Sequence, residues 1–197
     1  YILGDIVDRG RGGMKIIADI IGRSNVFVCM GNHDYCANVL LGTFAVSGSA
    51  GCSPRLSSLF RKWLSDGGET TFEEFMMLPE DEQRAALSFL NSLPMYRELT
   101  VGGRKCFLAH TVPERAKMLC PDQRRITDFI MGEPEYERVY FEDTVIVTGH
   151  TPTGFIAPEY TGRIWKGNNH IAIDCGAVFG NPLGCICLDT MEEIYVQ

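Results

Sequence analysis

Residues 1–10 read Y-I-L-G-D-I-V-D-R-G and decide the fold. The apolar run of residues 1–3 has the length of a buried strand. The glycines that follow let the backbone turn sharply and approach a ligand. Asp5 and Asp8 offer oxygen ligands for a cation, and the planar guanidinium of Arg9 suits phosphate. Taken alone, this stretch fits a metal-and-phosphate site or a polar turn with a surface ion pair equally well.

Three further apolar runs end at residues that can bind metal ions. The runs, each with the residues that follow it, are 26–30 with Asn32 and His33, 105–109 with His110, and Thr144–Thr148 with His150. The chain has four histidines, so three of the four follow a predicted strand. A single histidine is more often structural, but three in equivalent positions predict a shared site. Ligands of open α/β sheets bind beyond the carboxyl ends of the strands.

The chain resembles the calcineurin-like metallophosphoesterases in four motifs, which in order are G-D-I-V-D-R-G (4–10), G-N-H-D (31–34), A-H (109–110) and G-H-T (149–151). Within that superfamily it is most similar to the phosphoprotein phosphatase branch. This branch includes bacterial serine/threonine phosphatases and symmetrical diadenosine tetraphosphatases. The first two motifs together are highly specific. Two more segments, D-G-G-E-T-T (66–71) and I-D-C-G-A (173–177), resemble the N-G-G-x-x-T and I-D-T-G-A segments of the family.

The resemblance implies an α/β fold, the α/β/β/α sandwich in which two mixed sheets are flanked by helices. We expect one domain over residues 1–197, with a helical insertion at about 43–95 that walls the substrate cleft. Residues 44–54 are small and turn-rich, which predicts a mobile loop. Apolar spacing and turn residues predict helices over 12–22, 54–65, 79–93 and 122–131. Strands are predicted at Tyr96–Val101, 105–109, Thr144–Thr148, 171–174, 184–188 and Glu193–Val196, with a hairpin turn at residues 102–103.

The resemblance also implies the metal centre. Asp5 would bridge two divalent ions, and the ligands Asn32, His110 and His150 would complete the shell of the second ion. Oxygen and imidazole ligands together suit Mn, Fe or Zn, of which Mn is our first choice. A metal-bound hydroxide would attack phosphorus in line, without a covalent intermediate.

Three further roles follow from the same resemblance. Arg9 and Asn32 would bind the phosphate, and His33 would protonate the leaving alkoxide while Asp8 accepts a hydrogen bond from its ring. Each residue also has a structural alternative. Asp8 could cap Arg9, Asn32 could be a left-handed turn residue, and His150 could bond within its loop. The remaining histidine, His170, matches no ligand motif and is predicted to be structural. Asp174 is predicted either to support a metal ligand or to be structural.

The chain departs from the family in two places. The family carries an Asp-x-His motif on the first sheet strand, before G-D-x-V-D-R-G, and nothing here can serve as that motif. We therefore expect an N-terminally incomplete domain that lacks this strand, binds one ion well and binds the other poorly. Relatives also place a second phosphate-binding arginine after a helix such as 122–131. Arg124, Arg125 or Arg138 could substitute.

Three functions remain open at this point. The first is hydrolysis of phosphoserine, phosphothreonine or small phosphomonoesters. The second is symmetrical cleavage of dinucleoside tetraphosphates, and the third is a catalytically inactive metal-binding scaffold. The partner is accordingly a phosphorylated protein or a small phosphoester. The oligomeric state has no signature in the sequence.

Composition limits the partners and the compartment. The net charge of −7 argues against nucleic acid, whose phosphates require a basic surface, and no apolar run has the length of a membrane span. The eight cysteines form no C-x-x-C pair, so we expect reduced thiols and a cytoplasmic protein. Cys29, Cys106, Cys185 and Cys187 are predicted to pack as small hydrophobes, and Cys175 is the candidate for oxidation.

Overall fold

The computed structural model describes residues 1–47 and 53–197, and contacts group the chain into two compact units, Tyr1–Leu93 and Pro94–Gln197. Residues 48–52 of the predicted loop at 44–54 lie outside the described residues, and residues 44–47 are helical. This division rests on contacts within each unit and does not test whether the two units form one domain. The single domain over residues 1–197 therefore stays a prediction.

The first unit is mainly helical. Its helices among the described residues are α1 (Gly13–Ile21), α2 (Asn32–Ser47), α3 (Pro54–Trp63), α4 (Glu69–Met76) and α5 (Glu80–Ser92). The predicted strands at 1–3 and 26–30 pair only through one parallel bridge, between Ile2 and Val28. Pairing stops there because the backbone of Gly4 and Asp5 turns to positive φ, 95° and 56°, directly after the bridge.

Helix α1 confirms the helix predicted over residues 12–22. Met14, Ile17 and Ile20 form its buried face. Gly12, which precedes the helix, cannot supply a side-chain cap. The carboxylate of Glu74 in α4 replaces that cap by accepting the backbone N–H groups of Gly12 and Met14. A carboxylate at a helix N-terminus also interacts favourably with the helix dipole.

Helix α2 has no counterpart among the predicted helices. It starts in the G-N-H-D motif and runs to residue 47, with Ala37, Leu40 and Leu41 buried. Its other apolar residues, including Val39 and Val46, are exposed on other faces. The apolar residues therefore form no single stripe, which is why the sequence did not predict this helix.

The predicted helix at 54–65 ends at Trp63, where a kinked π-helical turn, Leu64–Gly68, leads into α4. Gly67 lies at the kink with a φ of 102°, a value that favours glycine. Helix α5 confirms the prediction at 79–93, and its first turn carries three acidic residues. The predicted helical insertion is therefore built of α3, α4 and α5 in the part that the structure describes.

The second unit contains a five-stranded mixed sheet. Its strands are β1 (Tyr96–Val101), β2 (Arg104–Ala109), β3 (Thr144–Thr148), β4 (Trp165–Gly167) and β5 (His170–Ala172), in the order β1-β2-β3-β5-β4. Strands β2, β3 and β5 are parallel, and both edge strands are antiparallel. Gly102 and Gly103, with φ of 55° and 81°, form the predicted hairpin turn between β1 and β2. A separate ribbon pairs β6 (Leu183–Ile186) with β7 (Glu193–Val196).

Three short helices accompany the sheet, namely α6 (Arg115–Met118), α7 (Ile126–Ile130) and α8 (Thr153–Ile156). Helix α7 is shorter than the predicted 122–131 because Arg124 and Arg125 are extended. Met118 of α6 and Phe129 of α7 pack with Phe107 and Ile146 of the sheet in one core cluster. The predicted α/β class is thus confirmed, with a mixed sheet flanked by helices.

The seven described cysteines are free thiols. Cys29 and Cys106 are buried as predicted, but Cys185 is exposed on the β6–β7 ribbon, so its predicted burial is wrong. Burial, together with the charges of Asp174 and Glu193, raises the pKa of the Cys175 thiol to about 11. Cys175 is therefore protonated at neutral pH and a poor candidate for oxidation. Cys52 lies outside the described residues.

Among the helices in the described part of the chain, none combines the length and the apolar character that crossing a bilayer requires.

Candidate functional site

The loop at residues 4–10 has an unusual backbone. Asp5, Asp8 and Arg9 have φ values of 56°, 72° and 61°, although none is glycine. Residues other than glycine rarely adopt this left-handed backbone conformation, so contacts with other segments must hold the loop in place. Strain of this kind concentrates at ligand sites.

Asp34 supplies one part of that support. Its fully buried carboxylate accepts the backbone N–H groups of Asp5 at 2.8 Å, Ile6 at 3.0 Å and Gly31 at 2.9 Å. Burial, aided by the charge of Asp5, raises the pKa of Asp34 to about 7 even though the three N–H groups act in the opposite direction. Asp34 is the last residue of the G-N-H-D motif, and the sequence predicted no role for it.

Asp5 lies beside the first turn of α2. Its Oδ1 atom accepts the backbone N–H of His33 at 3.0 Å, and its side chain remains exposed. A Cβ atom at Gly31 would lie 2.2 Å from this oxygen, so only glycine fits there. Asn32 is the first residue of α2, so the left-handed turn suggested as its alternative is wrong.

Asp8 is the centre of a buried hydrogen-bond cluster, and its side chain is fully shielded from solvent. Its Oδ2 atom lies 2.7 Å from Nδ1 of His33 and accepts the indole N–H of Trp63 at 2.8 Å. Its Oδ1 atom accepts the hydroxyl of Thr71 at 2.7 Å, while the backbone N–H of Asp8 donates to that same hydroxyl oxygen at 2.8 Å. Asp8 therefore contacts His33, as predicted, rather than capping Arg9.

The environment of His33 favours its charged form. Burial of the ring disfavours the imidazolium, but the hydrogen bond to Asp8 and the charges of Asp5 and Asp8 outweigh that effect and raise the pKa of His33. Because Nδ1 is engaged with Asp8, Nε2 is the nitrogen that can donate a proton to a leaving group.

Arg9 is positioned by the D-G-G-E-T-T segment. Its backbone N–H donates to the carbonyl of Gly67 at 2.9 Å, and its half-exposed guanidinium lies 3.4 Å from the carboxylate of Asp66. A Cβ atom at Gly67 would lie 2.5 Å from the Arg9 side chain, and one at Gly68 would lie 2.3 Å from the Trp63 ring. The two glycines thus make room for Arg9 and Trp63.

In the second unit, His110 and His150 form a pair at the ends of β2 and β3. Nε2 of His110 and Nδ1 of His150 are 3.0 Å apart, and the backbone N–H of Gly149 donates to the His110 carbonyl at 2.9 Å. His150 has a φ of 64°, which turns the chain directly after the strand.

The spacing of the two ring nitrogens fits a metal ion. Two imidazole nitrogens each about 2.1 Å from one ion lie roughly 3.0–3.4 Å apart when the angle at the ion is about 90–109°. The 3.0 Å separation of His110 and His150 agrees with that range. The exposed carboxylate of Asp5 in the first unit is an oxygen donor of the kind such ions also accept.

The second phosphate-binding arginine is not evident among the three candidates. The guanidinium of Arg124 donates through Nε to the carbonyl of Met118 at 3.0 Å, and Arg138 pairs with Glu135 at 3.1 Å. The backbone N–H of Arg125 donates to Asp128 at the start of α7. These contacts give Arg124 and Arg138 local structural partners.

His170 and Asp174 have local contacts that agree with a structural role for each. Nε2 of His170 lies 2.8 Å from the hydroxyl of Thr148, and burial lowers the pKa of His170 to about 3. The carboxylate of Asp174 accepts the N–H of Gly176 at 2.9 Å, and its carbonyl accepts the N–H of Thr153 at 2.8 Å.

Comparison with known proteins gives one family match and one similar fold. The sequence profile of the calcineurin-like phosphoesterases matches residues 1–176. A similar solved structure is the crystal structure of a "putative diadenosine tetraphosphatase", with a TM-score of 0.61, 15% identity, and coverage of 98% of this chain and 78% of that chain. At this identity the likeness concerns the fold alone. A search of curated protein sequences finds no significant match.

Proposed function

Since the chain belongs to the calcineurin-like phosphoesterase family, which indicates a metal-dependent phosphoric ester hydrolase, we propose that it hydrolyses phosphomonoesters. The substrates would be phosphoserine or phosphothreonine residues or small alkyl phosphates. One observation carries this choice, the 2.7 Å contact between His33 Nδ1 and Asp8. This contact prepares His33 as a proton donor. An alkoxide is a poor leaving group and departs more readily when it is protonated.

The family profile, which matches residues 1–176, supports a metal centre. The ligands that we propose are Asp5, Asn32, His110 and His150, and the ions are two divalent transition metals, with Mn the first choice. When bound, such ions lower the pKa of a water nucleophile and neutralise charge on the phosphate oxygens.

The remaining roles belong to side chains of the first unit. Arg9, whose side chain is half-exposed, would bind the non-reacting phosphate oxygens together with Asn32. His33 would donate its Nε2 proton to the departing oxygen. Asp8 would hold the ring by accepting from Nδ1 and would stabilise the imidazolium form before the proton is transferred.

A second candidate is symmetrical hydrolysis of dinucleoside tetraphosphates. The similar solved structure is that of a "putative diadenosine tetraphosphatase". Its leaving group is a nucleoside diphosphate, which departs without a proton donor more readily than an alkoxide does. Dependence on His33 therefore distinguishes the two substrate classes.

The experiment compares three substrates on the same Mn²⁺-loaded protein, namely a phosphoserine peptide, a small alkyl phosphate and diadenosine tetraphosphate. Release of inorganic phosphate from the first two supports the proposal. Release of ADP from the third alone would replace it with the second candidate. Bound metal is measured in parallel, with Asp5→Ala and His110→Ala as variants expected to lower it. Metal binding without hydrolysis of any substrate would indicate the inactive scaffold.

A further inference from the structure

Two side chains outside the four motifs converge on the Asp8 carboxylate. Trp63 is the last residue of α3, and Thr71 lies in the first turns of α4. Both are almost fully buried, at 5% and 1% exposure, and both donate to Asp8 at 2.8 and 2.7 Å. The kinked turn between α3 and α4 brings them together, since its two glycines leave room for the Trp63 ring and for Arg9.

The chemistry of these donors fixes the direction of each hydrogen bond. An indole N–H can only donate, so Asp8 must accept from Trp63. The Thr71 oxygen already accepts the backbone N–H of Asp8 at 2.8 Å, which directs its own proton to Oδ1. With both oxygens acting as acceptors, Asp8 must also accept from Nδ1 of His33. The proton of the neutral His33 ring is thereby placed on Nδ1, and Nε2 is the nitrogen through which His33 exchanges a proton with the substrate.

We propose that Trp63 and Thr71 are positioning residues that act through Asp8 to hold His33 as the proton donor to the leaving group. This inference rests on the proposed function and deepens it. Without either donor, the Asp8 carboxylate can rotate and its contact with the His33 ring becomes loose. The alternative is that Trp63 and Thr71 serve only as core residues, in which case their loss lowers all activities equally.

The test uses hydrolysis of an alkyl phosphate and of p-nitrophenyl phosphate, whose leaving group departs without a proton. Thr71→Val removes the hydroxyl, and with it the hydrogen bonds to Oδ1 and to the backbone N–H of Asp8, at nearly unchanged side-chain volume. Trp63→Phe removes the indole N–H that donates to Oδ2 and keeps an aromatic ring at this position. We expect kcat on the alkyl phosphate to fall at least ~10-fold and kcat on p-nitrophenyl phosphate to fall less than ~3-fold, with KM and bound metal unchanged. Thr71→Ser keeps the hydroxyl and should restore most of the rate. Thr70→Val is the matched control, because the Thr70 hydroxyl donates only to the Gly67 carbonyl.

Imidazole NMR on the Zn²⁺-loaded protein separates this proposal from the proposed function, since it needs no substrate. The Nδ1 proton of His33 should give a strongly downfield resonance that moves upfield or broadens in Thr71→Val and Trp63→Phe but not in Thr70→Val. A wild type that hydrolyses no phosphate ester, yet shows these NMR changes, would refute the function and leave the positioning intact. Equal losses on both esters, or an unchanged His33 resonance in folded variants, would overturn the positioning role.

Discussion

Nδ1 of His33 lies 2.7 Å from Oδ2 of Asp8, with both side chains withdrawn from solvent, so the two residues form one unit. General acid catalysis typically contributes ~10²–10⁴-fold to a rate. We therefore predict that His33→Asn lowers turnover of an alkyl phosphate by about that factor, while the metal content measured by elemental analysis stays at the wild-type value. Asp8→Asn should act in the same direction. A purified His33→Asn protein with the wild-type rate would show that His33 is not the acid.

The ion pair of Arg9 with Asp66 leads to a second prediction. At 3.4 Å, with the Arg9 and Asp66 side chains 39% and 61% exposed, the pair is weak, but it sets Asp66 in competition with the substrate phosphate for Arg9. Asp66→Asn should lower KM by a factor of about 2–5 and leave kcat unchanged.

Asp19→Asn is the control for this substitution, because it removes the same charge from another exposed pair, with Arg23. Steady-state kinetics at low salt give the comparison. A higher KM for Asp66→Asn would mean that Asp66 holds Arg9 in its binding position instead of competing for it.

The glycines of the first unit give a third prediction, on stability. A Cβ atom at Gly68 would lie 2.3–2.5 Å from three ring atoms of Trp63, so Gly68→Ala should destabilise the protein by about 1–3 kcal/mol through overpacking. Gly42, inside α2, has only one atom of Leu87 at 4.0 Å from such a Cβ. Gly42→Ala should therefore stabilise the protein by up to about 1 kcal/mol. Urea unfolding of both variants measures the two effects, and equal behaviour would contradict the packing argument.

His170 gives a prediction on acid stability. Its pKa is about 3 in the folded protein and 6.5 in its ordinary state, because burial disfavours the charged ring. Below pH 6.5 the unfolded chain binds a proton that the folded chain does not, so stability contributed by the neutral ring is complete above pH 6.5 and is lost as the pH falls toward 3.

His170→Phe removes this dependence. The loss of unfolding free energy between pH 7 and pH 5, measured by urea unfolding at the two values, should be about 2 kcal/mol smaller in the variant than in the wild type. An unchanged difference between the two pH values would mean that the buried ring is not neutral.

Local signals predicted much of the fold. The paired glycines at 102–103 between two predicted strands identified the β1–β2 hairpin, and apolar spacing identified α5. Helix α2 escaped prediction because tertiary packing, rather than one apolar stripe, holds it. The strands expected at 1–3 and 26–30 were reduced to one bridge by the left-handed backbone that follows Leu3.

The supports of the site were harder to foresee than its chemical groups. The resemblance to the family singled out Asp8 and His33, which are in contact. Trp63 and Thr71 reach Asp8 across 55 and 63 residues, separations at which sequence periodicity carries no information. The D-G-G-E-T-T segment was a usable signal, because Thr71 is its final residue. Asp34 likewise stood in a recognised motif, but its three backbone contacts follow only from coordinates.

The dependence of the 4–10 loop on Asp34 has a consequence for protein engineering. The loop does not carry its own conformation, because its left-handed residues are held by a carboxylate about thirty positions away and by a glycine turn that lies further still. Grafting the G-D-I-V-D-R-G motif onto another scaffold would transfer its residues without the backbone conformation that they have here. The smallest portable piece is discontinuous and must include Asp34 and residues 63–71.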